Sequence, residues 1–157
     1  MVPSNSKTIP MFAGITMTSA GTVFGTVDTL GFDYLTVDLV AGSGAAASTA
    51  VATMRMAEDD TLLTAHTAGD ALTQFVGAAA VSTSAGFVLP ALSSTKQNVY
   101  RFNMDLKGRK RYISINFAPE LQTVGVGCNA VLHRVADGAD IRTVGTASDG
   151  MRLIQNG

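Results

Sequence analysis

The side chains that could do chemistry are few, and none of them stands in a productive pattern. The chain holds two histidines, His66 and His133, and one cysteine, Cys128. The histidines are far apart and fall in no ligand spacing such as H-E-x-x-H, in which two imidazoles one helical turn apart share a cation. Nucleophilic catalysis needs a neighbouring base, and neither a G-x-S-x-G elbow nor a Cys-His context is present. Cys128 falls on the apolar face of an alternating stretch, where a small buried residue fits better than a nucleophile. Glu58-Asp59-Asp60 is the one acidic cluster, and it offers fewer spaced oxygens than a calcium loop requires. Gly125-Val126-Gly127 has neither the spacing nor the following helix of a phosphate-binding loop. These residues predict no catalytic group, no metal and no cofactor.

Cationic charge is more concentrated. Lys107, Arg109, Lys110 and Arg111 are four of the eleven Lys and Arg residues, all within one short stretch. Nucleic-acid recognition joins such charge to stacking aromatics, and only Tyr112 is adjacent. The cluster is expected as a solvated tip or as a contact for an acidic protein surface, not for nucleic acid. A formal net charge of -1 gives no global field favouring nucleic acid or an anionic membrane.

Charged residues make up 15% of the chain, against about 25% in ordinary soluble domains, and the mean hydropathy is +0.27. A surface so poor in charge exposes apolar area, which monomers avoid. Coverage by other subunits is the expectation. The most apolar stretch, Val76 to Leu92, is interrupted by Ser82, Thr83, Ser84, Gly86 and Pro90, and lacks the roughly 18 continuous apolar residues of a spanning helix. Residues 1–10 are mostly polar and do not read as a leader.

The elements that would position these residues are strands. Helical periodicity is nearly absent, whereas period-two alternation recurs. Leu35, Val37 and Leu39 oppose Thr36 and Asp38; Ala52, Met54 and Met56 oppose Thr53 and Arg55. Tyr100, Phe102, Met104 and Leu106 alternate with Arg101, Asn103 and Asp105, and Ile113, Ile115 and Phe117 alternate with Tyr112, Ser114 and Asn116. Lys107-Gly108-Arg109-Lys110 between them reads as a hairpin connection, with Gly108 available for positive φ. A last strand over residues 127–134 puts Cys128, Ala130 and Leu132 on one face and Asn129, Val131 and His133 on the other. Weaker strands are expected at 22–27, 72–76 and 86–89, and Ala41 to Ala50 reads as a flexible loop. Seven or eight short strands predict an all-β, antiparallel β-sandwich of jelly-roll type.

The ends differ from this middle. Residues 1–20 read as an N-terminal arm or an extra edge strand, 21–134 as the sandwich domain, and 135–157 as a C-terminal extension or edge strand. Pro3 and Pro10 disfavour helix and stiffen an extended path. Met11-Phe12 has no place in the alternation that begins later, so it is expected as an apolar anchor on a neighbour. Pro3, Lys7, Pro10, Met11 and Phe12 are the arm's expected contacts, beside Lys107, Arg109, Lys110 and Arg111.

Three features together carry a resemblance: Gly31-Phe32-Asp33-Tyr34-Leu35 opening a strand after a polar arm, a strand ending in Glu58-Asp59-Asp60, and a return strand starting Gly108-Arg109-Lys110-Arg111-Tyr112-Ile113. Over roughly residues 28–134 the chain resembles the small head-decoration, or cement, proteins of tailed bacteriophages. The resemblance implies a jelly-roll subunit, usually trimeric, on the outer capsid surface of the virion, clamping neighbouring major capsid proteins. It implies synthesis in the host cytoplasm, no membrane or nucleic-acid partner and no catalytic residues. A tail or baseplate adaptor of the same fold is the second expectation. A ligand- or glycan-binding sandwich is the third, disfavoured because the chain has no Trp and only three Tyr for a sugar platform.

Overall fold

The computed structural model describes residues 6–18, 21–43, 52–65, 67–72, 87–88, 93, 95–119 and 123–135. Nine strands run through them: β1 Ser6–Met17, β2 Val23–Asp28, β3 Phe32–Ala41, β4 Ala52–Asp59, β5 Asp70–Ala71, β6 Phe87–Val88, β7 Asn98–Asp105, β8 Tyr112–Pro119 and β9 Val124–Val135. They form two antiparallel sheets. One is four-stranded in the order β1-β9-β3-β7; the other has the order β2-β8-β4-β5, with β6 also paired to β4. This is the all-β sandwich that the alternation predicts. From β1 to β4, each strand lies in the sheet opposite its predecessor, and so it is from β7 to β9.

The core lies between the sheets, where the apolar halves of the alternation meet. Leu35, Val37, Leu39 and Ala41 of β3 are 0–1% exposed and stand in register with Leu132, Ala130, Cys128 and Val126 of β9. Facing them, Ile113, Ile115 and Phe117 of β8 are fully buried, flanked by Met54 and Met56 of β4 and by Val23 and Val27 of β2. Full burial of such side chains contributes about 1.5–3 kcal/mol each relative to exposure.

Residues 106–111 are not a hairpin connection. β7 pairs with β3 in the four-stranded sheet, while β8 pairs with β2 and β4 in the other, so the chain crosses between layers there. Alternation assigns a strand's faces but not its partners. Two strands with apolar inner faces satisfy the pattern equally well side by side or across the core.

At the N-terminus the edge-strand reading holds for the described residues and the free-arm reading does not. Residues 6–17 are an edge strand of the sandwich, paired from Ser6↔His133 to Met17↔Val124. Phe12 is 6% exposed and belongs to the core, and Met11 packs against it. Pro10 has no N–H to donate and is tolerated because β1 is an edge strand. The register shifts between Pro10 and Phe12 and again between Phe12 and Ile15, with Gly14 at φ +63° inside the second irregularity. Those bulges bend β1 away from strict alternation, which is why Phe12 matches no simple period. Close approach to the opposite sheet adds a further constraint. A Cβ on Gly25 of β2 would stand 2.9 Å from the Met11 Cβ and carbonyl oxygen. Pro3 and residues 136–157 lie outside the described residues, as do residues 73–76 of the strand expected at 72–76.

The outer face of the second sheet is covered by the chain itself. Arg55, expected on a polar face, is 8% exposed. Its guanidinium donates to the carbonyls of Ala68 and Gly69 at 2.9 and 2.8 Å. The Thr26 hydroxyl donates to the Leu63 carbonyl at 3.1 Å, and Leu63 is buried beneath. Residues of the β4–β5 connection thus lie across β2, β8 and β4, which explains why β8 reads buried on both sides at Ile113, Ser114 and Ile115.

Candidate partner-binding surfaces

The basic segment sits at one end of the sandwich. Gly108 has φ +75°, and the Arg109 N–H donates to the Leu106 carbonyl at 2.9 Å, closing a tight turn. The Asp105 carboxylate braces it by accepting the Lys107 N–H at 2.9 Å. Behind the turn the cations fold back on carboxylates of the second sheet. Arg111 makes a two-pronged contact with Asp28 at 3.0 and 2.7 Å, while its guanidinium carbon lies 4.9 Å from the Tyr112 ring centre. Lys110 reaches Asp70 at 2.8 Å, and Arg109 lies 3.5 Å from Glu58. Glu58 also accepts the Lys110 N–H at 3.3 Å. Thr29 donates both its hydroxyl and its N–H to the Arg111 carbonyl.

These contacts change what the cluster offers. The Arg111 hydrogen bonds hold the Asp28 carboxyl below its ordinary pKa, against the opposing effect of burial. Asp70 correspondingly raises Lys110. Of the four cations of this cluster, only Lys107 makes no ion pair among the described residues. Asp28 and Asp70 escaped sequence reasoning because they are 83 and 40 residues from their partners. Opposite charges at one end of neighbouring strands were the only available signal.

No family model matches the chain, and no curated protein matches it.

The other broad surface is the outer face of the four-stranded sheet. Here β1 presents Thr8 and Pro10, β9 presents Asn129, Val131 and His133, β3 presents Tyr34, Thr36, Asp38 and Val40, and β7 presents Val99, Arg101, Asn103 and, at its end, Asp105. Arg101 grips Asp38 in two places, at 2.6 and 2.9 Å, and holds its carboxyl below the ordinary pKa. The Thr36 hydroxyl donates to Asn103 Oδ1 at 3.1 Å, so the Nε2 of His133, also 3.1 Å away, is left to donate to Thr36. His133 is thus one member of a polar row that runs across β7, β3 and β9.

Lys7, Pro10 and Met11 are half-buried along β1, and Phe12 points inward, so these residues do not form a free gripping arm. Cys128 faces the core, where burial pushes its thiol up to about 12. Such a thiol is protonated at neutral pH and a poor nucleophile. His66 lies outside the described residues. Among those described, no group of three His, Cys, Asp or Glu side chains could hold a metal ion, and no helix is long and apolar enough to cross a membrane.

Proposed function

We propose that the chain is a non-enzymatic structural subunit of a virus particle, sitting on the outer capsid surface of a tailed-bacteriophage head and clamping neighbouring major capsid proteins. The observation that carries this reading is the outer face of the four-stranded sheet. It is broad, built on paired strands, and poor in charge: one internally matched ion pair, Asp38–Arg101, lies among mostly polar and aliphatic side chains, with Asp105 at its margin. Interface centres are depleted of charge in the same way. A face with so little net charge meets another copy with little repulsion, so it is assigned to neighbouring copies in a homotrimer. The low charge of the whole chain agrees.

The strand order supports the jelly-roll reading. β1-β9-β3-β7 facing β2-β8-β4-β5 interleaves early and late strands in both layers, as a double Greek key does. A subunit that binds the assembled shell but not its separated parts stabilises the shell by mass action.

Cryo-electron microscopy of intact particles tests the proposal. Three-fold clusters of sandwich density on the head exterior are expected. Density confined to the tail or baseplate would shift the assignment to an adaptor there, and absence from the particle would overturn it. Light scattering of the purified protein should give a mass near three chains.

A further inference from the structure

The end of the sandwich that carries the basic segment is built by three connections: residues 29–31 between β2 and β3, 60–69 between β4 and β5, and 106–111 between β7 and β8. All three are braced. Besides the bonds to Arg111 and Asp105 already described, the Leu30 N–H donates to Asp28 at 3.0 Å, and the Thr61 N–H and hydroxyl both donate to Asp59 at 3.0 Å. A surface already held in one conformation loses little entropy on docking.

Two leucines stand out on this end. Leu30 is 64% exposed and Leu62 is 61% exposed, although their neighbours Thr29 and Leu63 are buried. The charges around them do not cancel. Arg109, Lys110 and Arg111 are matched by Glu58, Asp70 and Asp28. That leaves Lys7 and Lys107 against Asp33, Asp59, Asp60 and Asp105, none of which makes an ion pair among the described residues.

We infer that this end is a docking surface for a different protein whose contact patch is basic and carries apolar recesses. Leu30 and Leu62 would fill the recesses, and the carboxylates around them would meet Lys or Arg. The excess of negative charge disfavours a second copy of the same end, since like charges facing each other are costly. A basic partner differs from the acidic one that was one of the two expectations for this segment from sequence. The inference rests on the structural reading above, with this end turned to the shell and the charge-poor sheet face turned to other copies.

The test uses the full-length chain, labelled with nitrogen-15, and two synthetic peptides, one of lysine and leucine and one of glutamate and leucine. Titration of the lysine peptide should shift backbone signals within residues 28–31, 59–65 and 105–111, and the shifts should weaken as salt rises. Leu30→Ser with Leu62→Ser should reduce affinity at least several-fold, as should Asp59→Asn with Asp60→Asn. Both leucines are exposed, and asparagine keeps an acceptor for Thr61, so circular dichroism should find both variants folded. Equal binding of the glutamate peptide, or shifts confined to the outer face of the four-stranded sheet, would overturn the inference. No virus particle enters this assay, so its failure leaves the shell assignment to its own test. Absence from particles, conversely, would leave a positive titration standing.

Discussion

β1 and the 106–111 connection were both candidates to grip a neighbour, and both are tied to their own chain, by different physics. β1 is held by a backbone ladder along β9 and by burial of Phe12 and Met17. The connection is held by ion pairs whose cationic partners are about 36–44% exposed. Burial is insensitive to salt and acid, whereas exposed pairs are screened and individually weak. One region is therefore part of what makes the chain fold, and the other is an adjustable surface.

Deleting residues 1–12 is the most severe way to break that comparison. It strips six of the nine partner pairs between β1 and β9 and a core aromatic, and cooperative thermal unfolding should be lost by circular dichroism. A folded, cooperative truncation would show that β1 is dispensable after all. Phe12→Ala, which leaves the strand in place, should cost about 3–5 kcal/mol in denaturant unfolding. Gly25→Ala drives a Cβ into the Met11 backbone and should cost about 1–3 kcal/mol, less if β1 can shift. Arg55→Met leaves the Ala68 and Gly69 carbonyls without their donor, a loss of about 1–3 kcal/mol. Hydrogen exchange should show it as faster opening of residues 60–69.

The connection should respond far less. Changing Lys107, Arg109, Lys110 and Arg111 together to Gln should leave the fold intact and move the unfolding midpoint much less than Phe12→Ala. Acid sharpens the contrast. Because Asp28 and Asp38 titrate below their ordinary values in the folded chain, their stabilisation is fully present above the unfolded carboxyl pKa of about 4. It is lost as pH falls through the lower folded values. Asp28→Asn should remove part of the stability difference between neutral pH and pH near 3, while Phe12→Ala should lower both ends equally.

Much of the core was legible because alternation places a side chain on a face regardless of its partner strand. Leu35, Val37, Leu39, Ile113, Ile115, Phe117 and Cys128 all point inward as their spacing requires. The failures share a cause. Bulges after Pro10 break the period that would have revealed Phe12, and the crossing at 106–111 satisfies the same pattern as a hairpin. Arg55 looked solvent-facing because nothing in its own strand announces that residues 68 and 69 will fold over it. At the candidate site the four cations were evident, but their partners Asp28, Glu58 and Asp70 come from strands that only the tertiary fold brings together.

The pairing of β1 with β9 also sets when the molecule can form. The first strand waits for the last, and β3 has both its neighbours, β7 and β9, late in the chain. During synthesis the early strands can do no more than collapse, because the four-stranded sheet cannot close until residue 135 has left the ribosome. Folding dominated by such distant pairings runs on a scale of roughly milliseconds to seconds. Through that interval β1 and β3 expose unpaired edges that could capture the strands of a neighbouring nascent chain.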